Sequence, residues 1–170
     1  MATFCTADQH YGHDEIITFC NRPYRNNQVM TRDIVKRHNS VVKEGDTVHH
    51  LGDFAFAGPD RISYVQHLLD RLNGTHILIL GNHDKINPMK LVDAGFRSVH
   101  TSLELIIEGK AVVMAHDPSI WNVIPAGPIF ICGHIHNLFK TIPGKNIVNT
   151  GVDVWDFFPV SFDEIMGVLE

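Results

Sequence analysis

Short runs of β-forming residues that end in glycine, carboxylate or histidine recur along this chain, and the recurrence narrows the available folds more than any other feature. Ile77-Leu78-Ile79-Leu80 runs into Gly81-Asn82-His83-Asp84, residues 47–51 run into Gly52-Asp53, and Ile129-Phe130-Ile131-Cys132 runs into Gly133-His134-Ile135-His136. Runs of this length and composition, bounded by such punctuation, read as buried strands. Each tip alone is ordinary turn vocabulary. Repeated, the tips acquire meaning, because open α/β sheets place their chemistry in the crevice outside the carboxyl ends of the strands.

Helical patterns separate the strands of the first half. Asp14 is expected to cap a short helix through Ile16, Ile17 and Phe19, and residues 21–27, with Arg22, Pro23 and three asparagines, to form a loop. From Thr31 the stripe Ile34, Val35, His38, Val41 and Val42 predicts a helix ending at Gly45-Asp46, with His38 toward the core. An apolar loop, 54–58, leads to Asp60, the expected cap of a helix carrying Ile62, Val65, Leu68, Leu69 and Leu72. Pro88 through Ala94 is a shorter helix with Gly95 as terminator. This alternation implies parallel pairing with right-handed crossovers. In the second half, 103–107 and 111–115 flank Glu108-Gly109-Lys110 as a hairpin, and 147–150 is a further strand. Ser161 with Glu164 forms a capping box for a terminal helix through Leu169. The hairpin predicts a second, more antiparallel sheet.

At 170 residues the chain reads as one domain, 1–170, able to bury about 70% of its unfolded surface. Hydrophobic residues at 44% and charged residues at 19% are the balance of a globular protein. No apolar run is long enough to span a membrane, and Met1-Ala2-Thr3-Phe4-Cys5 lacks the pattern of a signal peptide, so the reading is a cytoplasmic protein away from the membrane. Cys5, Cys20 and Cys132 form no CxxC pair and read as small core residues, with Cys132 nearest a strand tip. A net charge of −5 disfavours long duplex nucleic acid as a partner and leaves a small anionic ligand at a metal centre compatible. Oligomeric state has no signature here. Histidine, at 12 residues, is the unusual count, and positions decide its meaning.

Those positions are the strand tips. Asp8 and His10 follow the first run, Asp53 the second, Asn82, His83 and Asp84 the third, His116 the second hairpin strand, and His134 and His136 the next. Two carboxylates, four imidazoles and an amide, with no thiolate, suit Mn, Zn, Fe, Ni or Co rather than a structural thiolate zinc. Seven ligands exceed one tetrahedral ion and suit two ions with Asp53 as bridge. Two divalent cations against two carboxylates can hold a phosphate and ionise a coordinated water, the nucleophile expected here. His83, outside the ligand set, is placed to protonate a leaving oxygen, with Asp84 orienting it. His49 and His50 point to opposite faces of a strand and are excluded. Arg22 and Arg25 are solvated loop cations or, for Arg22, a phosphate contact; His13 is an extra substrate contact or a loop hydrogen bond; Trp121 is a stacking surface or a packed anchor.

Asp8-x-His10, Gly52-Asp53, Gly81-Asn82-His83-Asp84, His116 and Gly133-His134-x-His136, in that order, resemble the calcineurin-like metallophosphoesterase superfamily. Residues 6–13 with Asn21-Arg22-Pro23 are similar to its small stand-alone bacterial and phage members. The resemblance implies an α/β fold, a four-layer αββα sandwich of two mixed β-sheets. It also implies one metal on Asp8, His10, Asp53 and His136, another on Asp53, Asn82, His116 and His134, and His83 as catalytic acid. Phe54-Ala55-Phe56 after Asp53, and Asp117 after His116, depart from the commoner pattern without removing a ligand.

The functional expectation is a dinuclear-metal-dependent hydrolase of phosphate esters, with manganese first among the metals. Diesters rank before monoesters, and the substrate class is a small, nucleotide-like phosphorylated molecule. The alternative is a non-catalytic dinuclear module that binds or senses a phosphorylated ligand.

Overall fold

Alternating strands and helices do produce parallel pairing. The computed structural model describes residues 1–56, 61–121 and 127–169. In it β1 (Thr3–Thr6), β2 (Thr47–Leu51), β3 (Thr75–Ile79) and β4 (Ser98–His100) lie side by side and parallel. The second sheet has the order β5 (Ser102–Ile107), β6 (Lys110–Ala115), β7 (Ile129–Cys132) and β8 (Ile147–Asn149). A two-residue strand, β9 (Val160–Ser161), pairs antiparallel with β1 and makes the first sheet mixed.

Helices α1 (Glu15–Phe19), α2 (Asn27–Val41), α3 (Ile62–Leu69) and α4 (Pro88–Asp93) bury Ile16, Met30, Ile34, Val35, Val65, Leu68 and Leu91 with Leu78 of β3. A second core lies between the sheets, where Cys5, Leu51 and Ile79 meet Val112, Met114, Ile131 and Val148, with Phe162 and Ile165 of α5 (Phe162–Gly167) completing it. Burying each aliphatic side chain of this kind stabilises the fold by about 2 kcal/mol. Phe130, Cys132 and Ile147 on the second sheet are covered by Trp121, Ile135, Phe139 and Ile142. Among the described residues this outer layer comes from loops, and Trp121 is a packed anchor, its ring 4.7 Å from that of Phe130. The architecture is α/β with two facing mixed sheets, as the calcineurin-like fold requires.

The second sheet is less antiparallel than its hairpin suggests. Only β5 and β6 run oppositely, while β6, β7 and β8 are mutually parallel. Their long connections cross over instead of turning back, so the three strands deliver their carboxyl ends to one edge. That edge adjoins the tips of the first sheet: the Ala7 N–H donates to Thr150 O at 2.9 Å and the Val152 N–H to Ala7 O at 3.0 Å.

Helix starts depart from the local signals. Asp14 caps nothing on α1; its carboxylate accepts the Asn27 N–H at 3.0 Å and ties α1 to α2. Helix α2 begins at Asn27, ahead of its apolar stripe, because Asn26 accepts the Val29 N–H at 3.0 Å as N-cap. The capping box on α5 is present in both halves, although the helix ends at Gly167 rather than Leu169. Asp60, the expected cap of α3, lies outside the described residues, as do parts of the expected loops 54–58 and 117–128. Cys5 and Cys132 are buried, and Cys20, expected in the core, is only half-buried. No described helix is long and apolar enough to cross a membrane.

Candidate metal centre

The strand tips converge, and their backbone is unusual. Asp8, His10, Asp53, His134 and His136 all adopt the left-handed conformation, with φ of 58°, 52°, 53°, 71° and 47°. Non-glycine residues pay about 1 kcal/mol or more for this conformation, and it persists where the surroundings dictate a special side-chain direction. The neighbouring glycines answer a different need. A Cβ on Gly81 would collide with Asp53, and one on Gly52 would collide with His116 and Gly81. Gly81 therefore does more than release the chain from β3. It lets two tips approach until only backbone fits between them.

The donor atoms fall into two groups. One is Asp8, His10 and His136, with ligand atoms all within 4.8 Å of one another; the other is Asp53, His116 and His134, equally close. Asn82 joins the second group, its Oδ1 lying 3.0 Å from both His116 Nε2 and His134 Nδ1. Asp53 stands between the groups: Oδ2 is 3.5 Å from His10 Nε2 and 3.4 Å from His116 Nε2, while Oδ1 accepts the His83 N–H at 2.8 Å. His116 Nδ1 donates to Leu51 O at 2.7 Å, which directs Nε2 toward the centre.

A bare hydrogen-bond network does not satisfy this arrangement. His10 Nε2 is buried and has no hydrogen-bond partner. Burial holds the His10 ring down at about 3, against the attraction of Asp53, so its nitrogen offers a lone pair. Burial pushes Asp8 up to about 7, against His116 and His136, whereas Asp53 overcomes its own burial through His116 and falls to about 2. Burial also works against charge on His116 and His136, yet contact with Asp53 raises the first to about 9 and contact with Asp153 raises the second to about 10. Nitrogens and carboxylate oxygens crowded this way require protons or cations among them. An oxygen and imidazole donor set fits divalent cations of the Mn to Zn series.

Other expected site residues are placed differently. The His83 ring lines the cleft, half-buried, 5.3 Å from the His10 ring between centroids. Asp84 does not orient it. Both Asp84 oxygens face backbone, accepting N–H groups from Gly81 (2.9 Å), Asp53 (2.8 Å) and Phe54 (3.1 Å). Asp84 thus clips the β2 and β3 tips together, and burial raises its pKa to about 6. Arg22, expected as a phosphate contact, does not line the cleft: its side chain is 0% exposed and is paired with Asp153. His13 stays in the cleft, stacked on Phe56 at 4.2 Å, with Nδ1 3.2 Å from His10 Nδ1. His38, His49 and His50 are buried away from these groups, and His50 Nε2 lies 3.0 Å from His76 Nδ1.

The sequence reading missed Asp153. Its Oδ2 lies 3.1 Å from His136 Nδ1. It follows β8 as Gly151-Val152-Asp153, the same strand, glycine, carboxylate grammar that marked the other tips. Cys20, rather than Cys132, is the cysteine near the centre, within 4.8 Å of ligand atoms on His136 and Asp153. Above the groups opens a cleft of about 570 Å³, with apolar walls from Ile16, Phe19, Phe56, Ile135 and Leu138.

Compared with models of protein families, the chain matches none. An uncharacterized protein of Methanocaldococcus jannaschii is 30% identical over 172 residues, spanning 98% of this chain and 90% of that protein. A protein of unknown function from Aquifex aeolicus has the same fold, with a TM-score of 0.74 at 22% identity over 98% of both chains. An archaeal phosphodiesterase superposes with a TM-score of 0.55 at 20% identity, over 89% of this chain and 84% of that one. With two facing mixed sheets and the Asp, His and Asn residues gathered in order at their shared edge, the chain shares its fold with that phosphodiesterase, the fold that the calcineurin-like resemblance implies.

Proposed function

We propose that this protein is a dinuclear-metal-dependent phosphodiesterase acting on small, nucleotide-like substrates. The position of Asp53 carries the reading: one carboxylate oxygen lies within 3.5 Å of an imidazole from each donor group, as a bridging ligand would. Asp8, His10, Asp53 and His136 would hold one cation, and Asp53, Asn82, His116 and His134 the other, with manganese the first choice. Bound there, divalent ions supply phosphate binding and a water acidic enough to ionise near neutrality. The chain's own residues do the rest. Asp84 fixes the tips on which Asp53 and Asn82 stand, the left-handed turns aim the ligands, and His83 donates a proton to the departing oxygen from within the cleft.

A diester suits the cleft better than a polyanion. Among the described residues its lining contains histidines, Cys20, Asn137 and apolar side chains, and no lysine or arginine to pair with further phosphates. Phe19 and Leu138 stand 75% and 76% exposed at its walls, surfaces for a flat or apolar substituent. His13 is the proposed polar contact. Since Asp84 is occupied with backbone, the case for turnover over a binding module rests on His83. Hydrolysis of bis-p-nitrophenyl phosphate and p-nitrophenyl phosphate with added Mn, before and after His83→Ala and Asp53→Ala, tests it. Faster diester turnover that both substitutions abolish is the expected result. Activity in Asp53→Ala without metal overturns the reading, and tight nucleotide binding without hydrolysis of any ester converts it to the binding module.

A further inference from the structure

Arg22 and Asp153, 131 residues apart in sequence, form a bidentate pair beneath one half of the centre. Arg22 Nε donates to Asp153 Oδ1 at 2.7 Å and Nη2 donates to Oδ2 at 2.8 Å, with the two side chains 0% and 3% exposed. The same guanidinium donates to Asp8 O at 2.7 Å and Gln9 O at 3.0 Å. These carbonyls belong to the turn whose Asp8 and His10 are left-handed. On its other side Asp153 Oδ2 meets His136 Nδ1 at 3.1 Å. One buried cation therefore touches the Asp8–His10 turn directly and His136 through a carboxylate.

An imidazole whose Nδ1 faces a carboxylate keeps a proton there and offers its lone pair at Nε2, with the ring's rotation fixed. Asp153, Cys20 and His136 also lie close enough to form a cation site of their own. Asp153 argues against that role. Both of its oxygens already accept from Arg22, whose fixed positive charge opposes a cation on the same carboxylate. Among the described residues the second donor group has no buried ion pair behind it: Leu51 O holds His116, the Asp84 clip and the His83 N–H hold Asp53, and Asp8 accepts the His134 N–H at 2.9 Å.

We propose that Arg22 and Asp153 are positioning residues for the Asp8, His10 and His136 half alone, orienting His136 and pinning the turn that carries the other two. The proposal rests on the dinuclear reading above. It predicts that disrupting the pair weakens one cation site and spares the other, a selectivity that general loosening of the fold would not give.

The test is Mn binding by equilibrium dialysis with elemental counting, on the full chain and on two variants checked for folding by circular dichroism. Asp153→Asn keeps an acceptor for His136 but places an amide against Arg22. Arg22→Met with Asp153→Leu removes both charges and leaves neither buried alone, which guards against simple unfolding. The wild type is expected to bind two ions. Each folded variant should bind one with unchanged affinity and the other about 10- to 100-fold more weakly, the double variant losing more. A His136→Ala control should lose the same site. Unchanged affinities in a folded variant, or equal weakening of both sites, overturn the proposal. Fewer than two ions on the wild type instead overturns the dinuclear reading, and this proposal with it. If neither variant folds, the pair is structural and the proposal also fails.

Discussion

The two donor groups meet at Asp53, whose Oδ2 is 3.5 Å from His10 Nε2 and 3.4 Å from His116 Nε2, and they are held in place differently. The Asp8, His10 and His136 group is the more enclosed, with Asp8 0% and His10 1% exposed, and an ion pair buried behind it. In the Asp53, Asn82, His116 and His134 group, Asn82 is exposed and His134 half-buried, and His116 is held by a backbone carbonyl. The first half is positioned by charge and distant chain, the second by the strand tips themselves. Both halves reach the cleft, the first through His10 and His136 and the second through His134.

Asp53→Ala removes what the halves share and should have the largest effect, a fall of about a thousandfold or more in diester hydrolysis, with metal counts showing both affinities weakened. If only one affinity moves, Asp53 is no bridge. His83→Ala should lower kcat by about a hundredfold or more while both ions remain bound; steady-state rates with metal counts on the same samples check this. Disrupting Arg22 and Asp153 comes next, with its selective loss of one site. His116→Ala is the mirror experiment and should weaken the exposed half by about tenfold or more while sparing the His136 side, read by the same dialysis.

The last prediction concerns stability alone and leaves both halves untouched. His38 and His49 are buried, and burial lowers each from 6.5 to about 4. Because the folded values are depressed, the unfolded chain takes up these protons first on acidification. Their contribution to stability is thus full above 6.5 and is lost as pH falls toward 4, on the order of 3 kcal/mol apiece. Melting temperatures of chelator-treated protein across that range should fall with pH, and His38→Gln, which can still donate to Asn73 O, should flatten the slope by about one proton's worth.

What could be read from sequence was local and periodic. The tips at Asp53, Asn82 and His134, the hairpin about Glu108-Gly109 and the Ser161–Glu164 capping box each announce themselves within a few residues. Strand direction in the second sheet could not be read so directly, because β6, β7 and β8 are joined by long connections whose return path no neighbouring residue specifies. Strands β4 and β9, at three and two residues, carry too little pattern to stand out. Arg22 looked like a loop cation because its partner lies 131 residues away. Asp84 looked like a partner for His83 because adjacency in sequence says nothing of side-chain direction past a tight turn. Asp153 alone was within reach, since it repeats the tip grammar after β8.

Stepwise addition of Mn to chelator-treated protein, following bis-p-nitrophenyl phosphate hydrolysis and bound metal together, tests the central claim most directly. A shared bridging carboxylate between two occupied halves predicts a rate that rises to its plateau only as the second equivalent binds. A full rate with no ion or one ion bound would contradict the dinuclear centre, and two bound ions without hydrolysis would contradict catalysis.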